Sequence, residues 1–165
     1  MEIFIKVCVL AMLVGAAVWD VRTGRIPNLY NGIWMLSGII ISFFSGGIHG
    51  IIYGSLGLMI PVAGLMLLFF SRVLGGGDIK LLGAVGAFLW LDVIDVIIYS
   101  FLLCGIYGGG LMLVRLINGV ARGSLTGGLI NELTNNRQFT RVAFSIFVMA
   151  GYGVYLLRGG VELGI

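Results

Sequence analysis

Apolar residues fill this chain in runs too long and too frequent for a water-soluble fold. The runs cover approximately Ile3 to Trp19, Tyr30 to Phe44, Ile51 to Phe70, Ile79 to Leu91, Val93 to Val114 and Val142 to Leu157. Hydrophobic residues make up 59% of the sequence and charged residues only 10%, against about a quarter charged in a typical soluble domain. The chain reads as an integral membrane protein. A spanning helix takes about 20 residues plus a short turn, so 165 residues hold about six spans with no soluble domain left over. The expected fold is all-α: a polytopic membrane bundle of about six transmembrane helices, forming one domain over residues 1–165.

Met1 to Ala17 has some marks of a secretory leader, with Lys6 near its start and Gly15, Ala16 and Ala17 near its end. Glu2 spoils the basic region of such a leader, and five further apolar runs need none. The segment is read as the first span.

With the amino terminus outside, the inward loops hold Arg22, Arg25, Arg72, Lys80, Arg115, Arg122, Arg137 and Arg141, while Lys6 and Arg158 fall outward. Eight basic residues against two is a strong positive-inside bias. It places Asp20 and Asp78 together on the cytoplasmic side, and Asp92 and Asp95 opposite them, in a solvated turn. The net charge of +3 is spread over short loops, so the lipid bilayer is the expected partner and nucleic acid is not. Cys8 and Cys104 are isolated, and His49 lies in the outward turn GGIHG. No disulfide framework, metal site or cofactor is expected.

Asp20 and Asp78 are the informative residues. An ionisable side chain at membrane depth is costly and tends to persist where it does chemistry or guides an ion. The runs after them are short, 15 residues for Tyr30 to Phe44 and 13 for Ile79 to Leu91. They reach only about 20 Å against a hydrocarbon core of about 30 Å, which suits a water-filled notch on the cytoplasmic side. Paired carboxyls about 3 Å apart share one proton, so one member takes a proton from water while the other donates to the scissile amide. That chemistry hydrolyses a peptide without a metal.

The surroundings fit such a site. Gly75, Gly76 and Gly77 carry no side chains, so the backbone bends sharply beside Asp78 and an extended chain passes close. Asp78 is expected as the N-cap of the helix that follows. Lys80 and Arg22, each two residues beyond an aspartate, bias a carboxylate toward its charged form or simply anchor inward loops. Pro27 stiffens the start of the second span, and Asn28 either caps that helix or orients a catalytic group. The glycines within the spans, Gly54, Gly57, Gly83, Gly86, Gly105 and Gly109, mark close helix packing, and Pro61 is expected to kink the third span. The polar segment from Arg115 to Arg141 suits either a protein partner or anionic headgroups.

Together, DVRTGRIPN at residues 20 to 28 and GGGDIKLLGAVG at residues 75 to 86 resemble the type IV prepilin peptidases, polytopic aspartyl proteases with a GxGD motif. Gly75, Gly77 and Asp78 match GxGD, Lys80 matches its usual basic follower, and Asp20, Ile26, Pro27 and Asn28 match the first-aspartate motif. The resemblance implies a catalytic dyad of Asp20 and Asp78. It also implies cleavage of the short basic leader of pilin-like or pseudopilin-like precursors, at the cytoplasmic face of the inner membrane. Larger members carry an amino-terminal part that methylates the new terminus. Its counterpart is not seen in this sequence, which resembles the small peptidases of tight-adherence pilus systems, so no methyltransferase activity is expected. Two departures stand out: Trp90 occupies a position where a glycine often closes the helix, and RVAFSIF opens the last span without the usual proline.

Two other functions compete with this one. Intramembrane aspartates also serve proton- or ion-coupled transporters, and a catalytically silent scaffold of a pilus or secretion machine would show the same spans.

Overall fold

In hydrocarbon no water is at hand for exposed amides and carbonyls, so a spanning backbone must bond to itself, as a helix does. The computed structural model describes residues 2–71, 74–121 and 144–159, and all regular structure among them is helical. Helix α1 covers Glu2–Thr23, α2 Asn28–Phe70, α3 Gly76–Leu89, α4 Val93–Ala121 and α5 Phe144–Leu157. A single 3₁₀ turn, Trp90–Asp92, separates α3 from α4. Three stretches, Glu2–Thr23, Asn28–Phe70 and Gly76–Val114, are long and apolar enough to cross a membrane, and α5 is a shorter apolar helix. Large side chains such as Ile3, Leu36, Phe44, Leu67, Ile106 and Met112 face outward, as suits an apolar solvent.

Helix α2 is a hairpin. Its 43 residues leave helical geometry at Gly46 (φ −139°, ψ 15°) and Gly47 (φ 60°, ψ −135°), the second a conformation that side chains disfavour. Ser42 then abuts Gly50 and Gly54 across the turn. The first half runs parallel to α3, with Asn31 beside Gly77 and Gly38 beside Ala87. The second half runs antiparallel to it, with Gly57 beside Gly86 and Phe69 beside Gly76.

Helix α3 is the axis of the molecule. Every residue from Ile79 to Leu89 apart from Lys80 is buried, the pattern of a helix enclosed on all sides. Both halves of α2 grip it through missing side chains: a Cβ on Gly86 would strike the Gly57 carbonyl, and one on Gly83 would meet Met35, Leu58 and Val62. Around this core α1 contributes Ile5, Val9, Met12 and Ala16, a stripe at helical spacing. Ser145, Val148, Tyr152 and Tyr155 form the matching stripe of α5.

Several expectations are corrected. The second span begins at Asn28 and the third resumes directly after Gly47, so the turn between them is two residues rather than six. Exposed His49 therefore lies on a helix. The break in α2 falls at the glycine pair, and Pro61 lies within the helix that follows. Helix α4 continues past Val114 to Ala121, and the rest of the polar segment to Arg141 lies outside the described residues. Gly105 and Gly109 meet nothing within 4 Å among the described residues, so close packing is seen at Gly54, Gly57, Gly83 and Gly86 but not there. Asp92 is no simple solvated residue: it accepts a hydrogen bond from the Tyr155 hydroxyl at 2.6 Å.

Candidate active site

Asp20 lies inside α1, one turn before its end. It extends the buried stripe of that helix, four residues beyond Ala16, so its carboxylate turns toward the bundle rather than out of it. The helix stops because Gly24 takes a left-handed φ of 67° and its amide donates to the Asp20 carbonyl at 2.7 Å, a glycine C-cap. The Thr23 hydroxyl lies 2.9 and 2.8 Å from the Trp19 and Arg25 carbonyls, with one proton to donate between them, and ties the chain beyond to the last turn of α1.

Asp78 is in the first turn of α3 but is not its N-cap. Gly75 holds that position, with extended backbone (φ −75°, ψ 146°), and Gly76 and Gly77 already belong to the helix. The missing side chains serve packing: a Cβ on Gly76 would meet the Phe69 ring at 3.2 Å and one on Gly77 would meet Ile26 at 3.6 Å. At the third helical position the Asp78 carboxylate reaches back to the backbone amide of Gly75, the acidic half of a capping box. A Cβ on Gly75 would stand 3.0 Å from Oδ2 of Asp78.

Asp20 on α1 and Asp78 on α3 lie near enough for the charge of Asp20 to act on Asp78. Both are half-buried. Asp20 Oδ2 also accepts a hydrogen bond at 2.7 Å from the hydroxyl of Ser145, at the start of α5. Three helices distant in sequence thus converge on one pair of acids.

The segment after Asp20 wraps the glycine motif. Ile26 is buried, and its backbone lies 3.8 Å from where a Gly77 side chain would begin. Asn31, 1% exposed, donates from Nδ2 to the Gly77 carbonyl at 3.1 Å, while its Oδ1 is buried without a partner among the described residues. Lys80 Nζ donates to Asn28 Oδ1 at 2.8 Å. Lys80 therefore joins the two motifs instead of leaning on a carboxylate. Pro27, with φ −61°, is the N-cap of α2; Asn28 is the first helical residue and makes no capping bond. Arg22 stands exposed on the last turn of α1.

Sequence reasoning missed Ser145 and Asn31. Both are polar residues on otherwise buried helix faces, a signal that becomes readable only once the facing helix is known. Among the described residues no cluster of three or more His, Cys, Asp or Glu is placed to hold a metal, and Cys8 and Cys104 are free.

Fold and site together define a class: an apolar helix bundle that brings two carboxylates to the crossing of its first and central helices. Residues 7–109, more than half of the chain and including both aspartates, match the type IV leader peptidase family, and the chain belongs to that family. No curated protein and no solved structure matches it.

Proposed function

We propose that the protein is a membrane-embedded aspartyl endopeptidase that removes the short leader of type IV pilin-like precursors at the cytoplasmic face of the inner membrane. Membership of the leader peptidase family supports peptidase activity on a prepilin-like substrate. One observation carries the assignment of the chemistry: Asp20 and Asp78, from the two family-like motifs, lie within electrostatic reach of one another in an otherwise apolar bundle.

The mechanism follows from a shared proton. Where two carboxyls share a proton, one is ionised while the other stays protonated. The ionised member takes a proton from a water molecule, whose oxygen attacks the scissile carbonyl. The protonated member donates to that carbonyl oxygen, giving a tetrahedral diol; as the diol collapses, the first member passes the proton it gained from water to the leaving amine, and the second regains a proton from a diol hydroxyl. Exposed Gly75 leaves room for an extended segment of precursor beside Asp78, Gly77 lets Ile26 pack against the motif, and Lys80, Asn28 and Pro27 hold the glycine motif against the loop that follows Asp20. Arg22 serves as an inward anchor of α1. The reading includes six crossings, with the α2 hairpin supplying the second and third, and an outward amino terminus.

Co-expression with a pilin-like precursor tests it. The wild-type chain is expected to shorten the precursor at the leader, and Asp20→Asn and Asp78→Asn are each expected to abolish the shortening. Processing that survives both substitutions removes the dyad. A transporter or silent scaffold would leave the precursor intact with every variant.

A further inference from the structure

The geometry points to Ser145 as a positioning residue that holds the Asp20 carboxylate in its reactive orientation, an inference that rests on the proposed peptidase reading. Ser145 is wholly buried at the start of α5, and its hydroxyl donates to Oδ2 of Asp20 at 2.7 Å. A hydroxyl in that position is not needed for packing. The rest of the stripe, Val148, Gly151, Tyr152 and Tyr155, seats α5 against its neighbours, and an alanine would fill the Ser145 position without burying a polar group. The hydroxyl is placed where a carboxylate uses it.

The consequence lies in how the carboxylate can turn. A terminal carboxyl torsion is broad and roughly two-fold when nothing holds it. A hydrogen bond to an ionised acceptor is short and strong, and it commits Oδ2 to Ser145. Oδ1 is then the oxygen left to exchange protons with water and with Asp78. The bond also joins the last helix to the first, so the reactive orientation depends on α5 being docked. Ser145 touches neither substrate nor water in this role; it acts through Asp20.

The test compares Ser145→Ala with Ser145→Thr in the full-length protein in detergent, using a purified pilin-like precursor and circular dichroism to verify the fold. Ser145→Ala is expected to lower kcat about tenfold, with KM within about twofold and a displaced pH–rate profile. Ser145→Thr, which keeps the hydroxyl, is expected to restore most of the rate. A second readout needs no activity: the carboxylate stretch of isotope-labelled aspartate, assigned to Asp20 by its loss in Asp20→Asn, should shift in Ser145→Ala and not in Ser145→Thr. An Asp20 band unmoved by Ser145→Ala overturns the inference, as does a folded Ser145→Ala enzyme with the wild-type rate and profile. A wild-type chain that fails to cleave overturns the peptidase reading instead, and the infrared comparison still decides whether Ser145 holds Asp20.

Discussion

The two ends of α3 solve opposite problems with similar residues. At the Trp90 end, polar groups are matched to one another. Ser42, 2% exposed, donates to the Ala87 carbonyl at 2.8 Å and accepts from Trp90 Nε1 at 2.9 Å. Tyr155 donates to Asp92, and Arg158 donates to the Tyr99 hydroxyl at 2.7 Å while lying over its ring. At the Asp78 end, the charge of Asp20 acts on Asp78, and Asn31 keeps a buried oxygen without a partner among the described residues. An unmet buried acceptor costs about 1–3 kcal/mol, and like charges at short range oppose each other. Among the described residues the polar groups at the Trp90 end answer one another, whereas the Asp78 end keeps an acceptor without a partner.

Strain is distributed in the same spirit. Both chain reversals at the far end use positive φ, Gly47 at 60° and Trp90 at 56°, and a Cβ on Gly46 would touch the Trp90 ring at 3.3 Å. Glycine adopts that backbone freely, but tryptophan does not. Trp90 is held there by its bond to Ser42 and by stacking on Tyr53, with ring centroids 5.5 Å apart. Position 90 is therefore one whose backbone favours glycine.

This contrast can be broken experimentally, beginning with the largest effect. If the Asp78 end is the reactive one, Asp20→Asn and Asp78→Asn each reduce precursor cleavage by about 10³-fold or more, and the double variant loses little beyond either single one, as expected for residues acting as a unit. Additive losses in single-turnover rates would show that the two carboxylates work separately.

Next in size is Gly86→Val in the middle of α3. Its Cβ meets the Gly57 backbone, which cannot yield as a side chain would. A loss of about 3 kcal/mol or more is expected, seen as a lower melting temperature in detergent. A fully stable variant would mean that the α2 hairpin grips α3 less closely than the contact implies.

Asn31→Leu sharpens the comparison from the other side. It removes the donor to Gly77 but also the unpaired oxygen, so stability should change by no more than about 1 kcal/mol while kcat falls about tenfold. A large drop in melting temperature with unchanged kcat would place Asn31 among the structural groups of the far end.

The smallest effect concerns Trp90. Both truncations lose the stacking and the bond to Ser42, yet Trp90→Gly should be more stable than Trp90→Ala by about 1 kcal/mol, the reverse of the usual order, because only glycine takes the backbone without strain. Equal melting temperatures would remove strain from the account.

Much of the helix pattern could be read in advance, since runs of hydrocarbon leave little choice. Errors gathered at the turns. The GGIHG segment gave no sign that two glycines alone would reverse the chain, and the GGGD segment concealed that Gly75, rather than Asp78, would cap α3. Both outcomes depend on where a side chain is missing relative to a neighbouring helix. Lys80 is similar: two residues from Asp78 in sequence, it answers instead to Asn28, 52 positions away.

By itself the sequence pointed to an apolar solvent and a helical class and singled out two acids as candidates, because burial energies follow from composition and spacing alone. Tertiary structure decided which groups answer those acids. Ser145 is 125 residues from Asp20 and Asn31 is 46 from Gly77, and a hydrogen bond reaches only about 3 Å, so such partners exist only once the helices are docked.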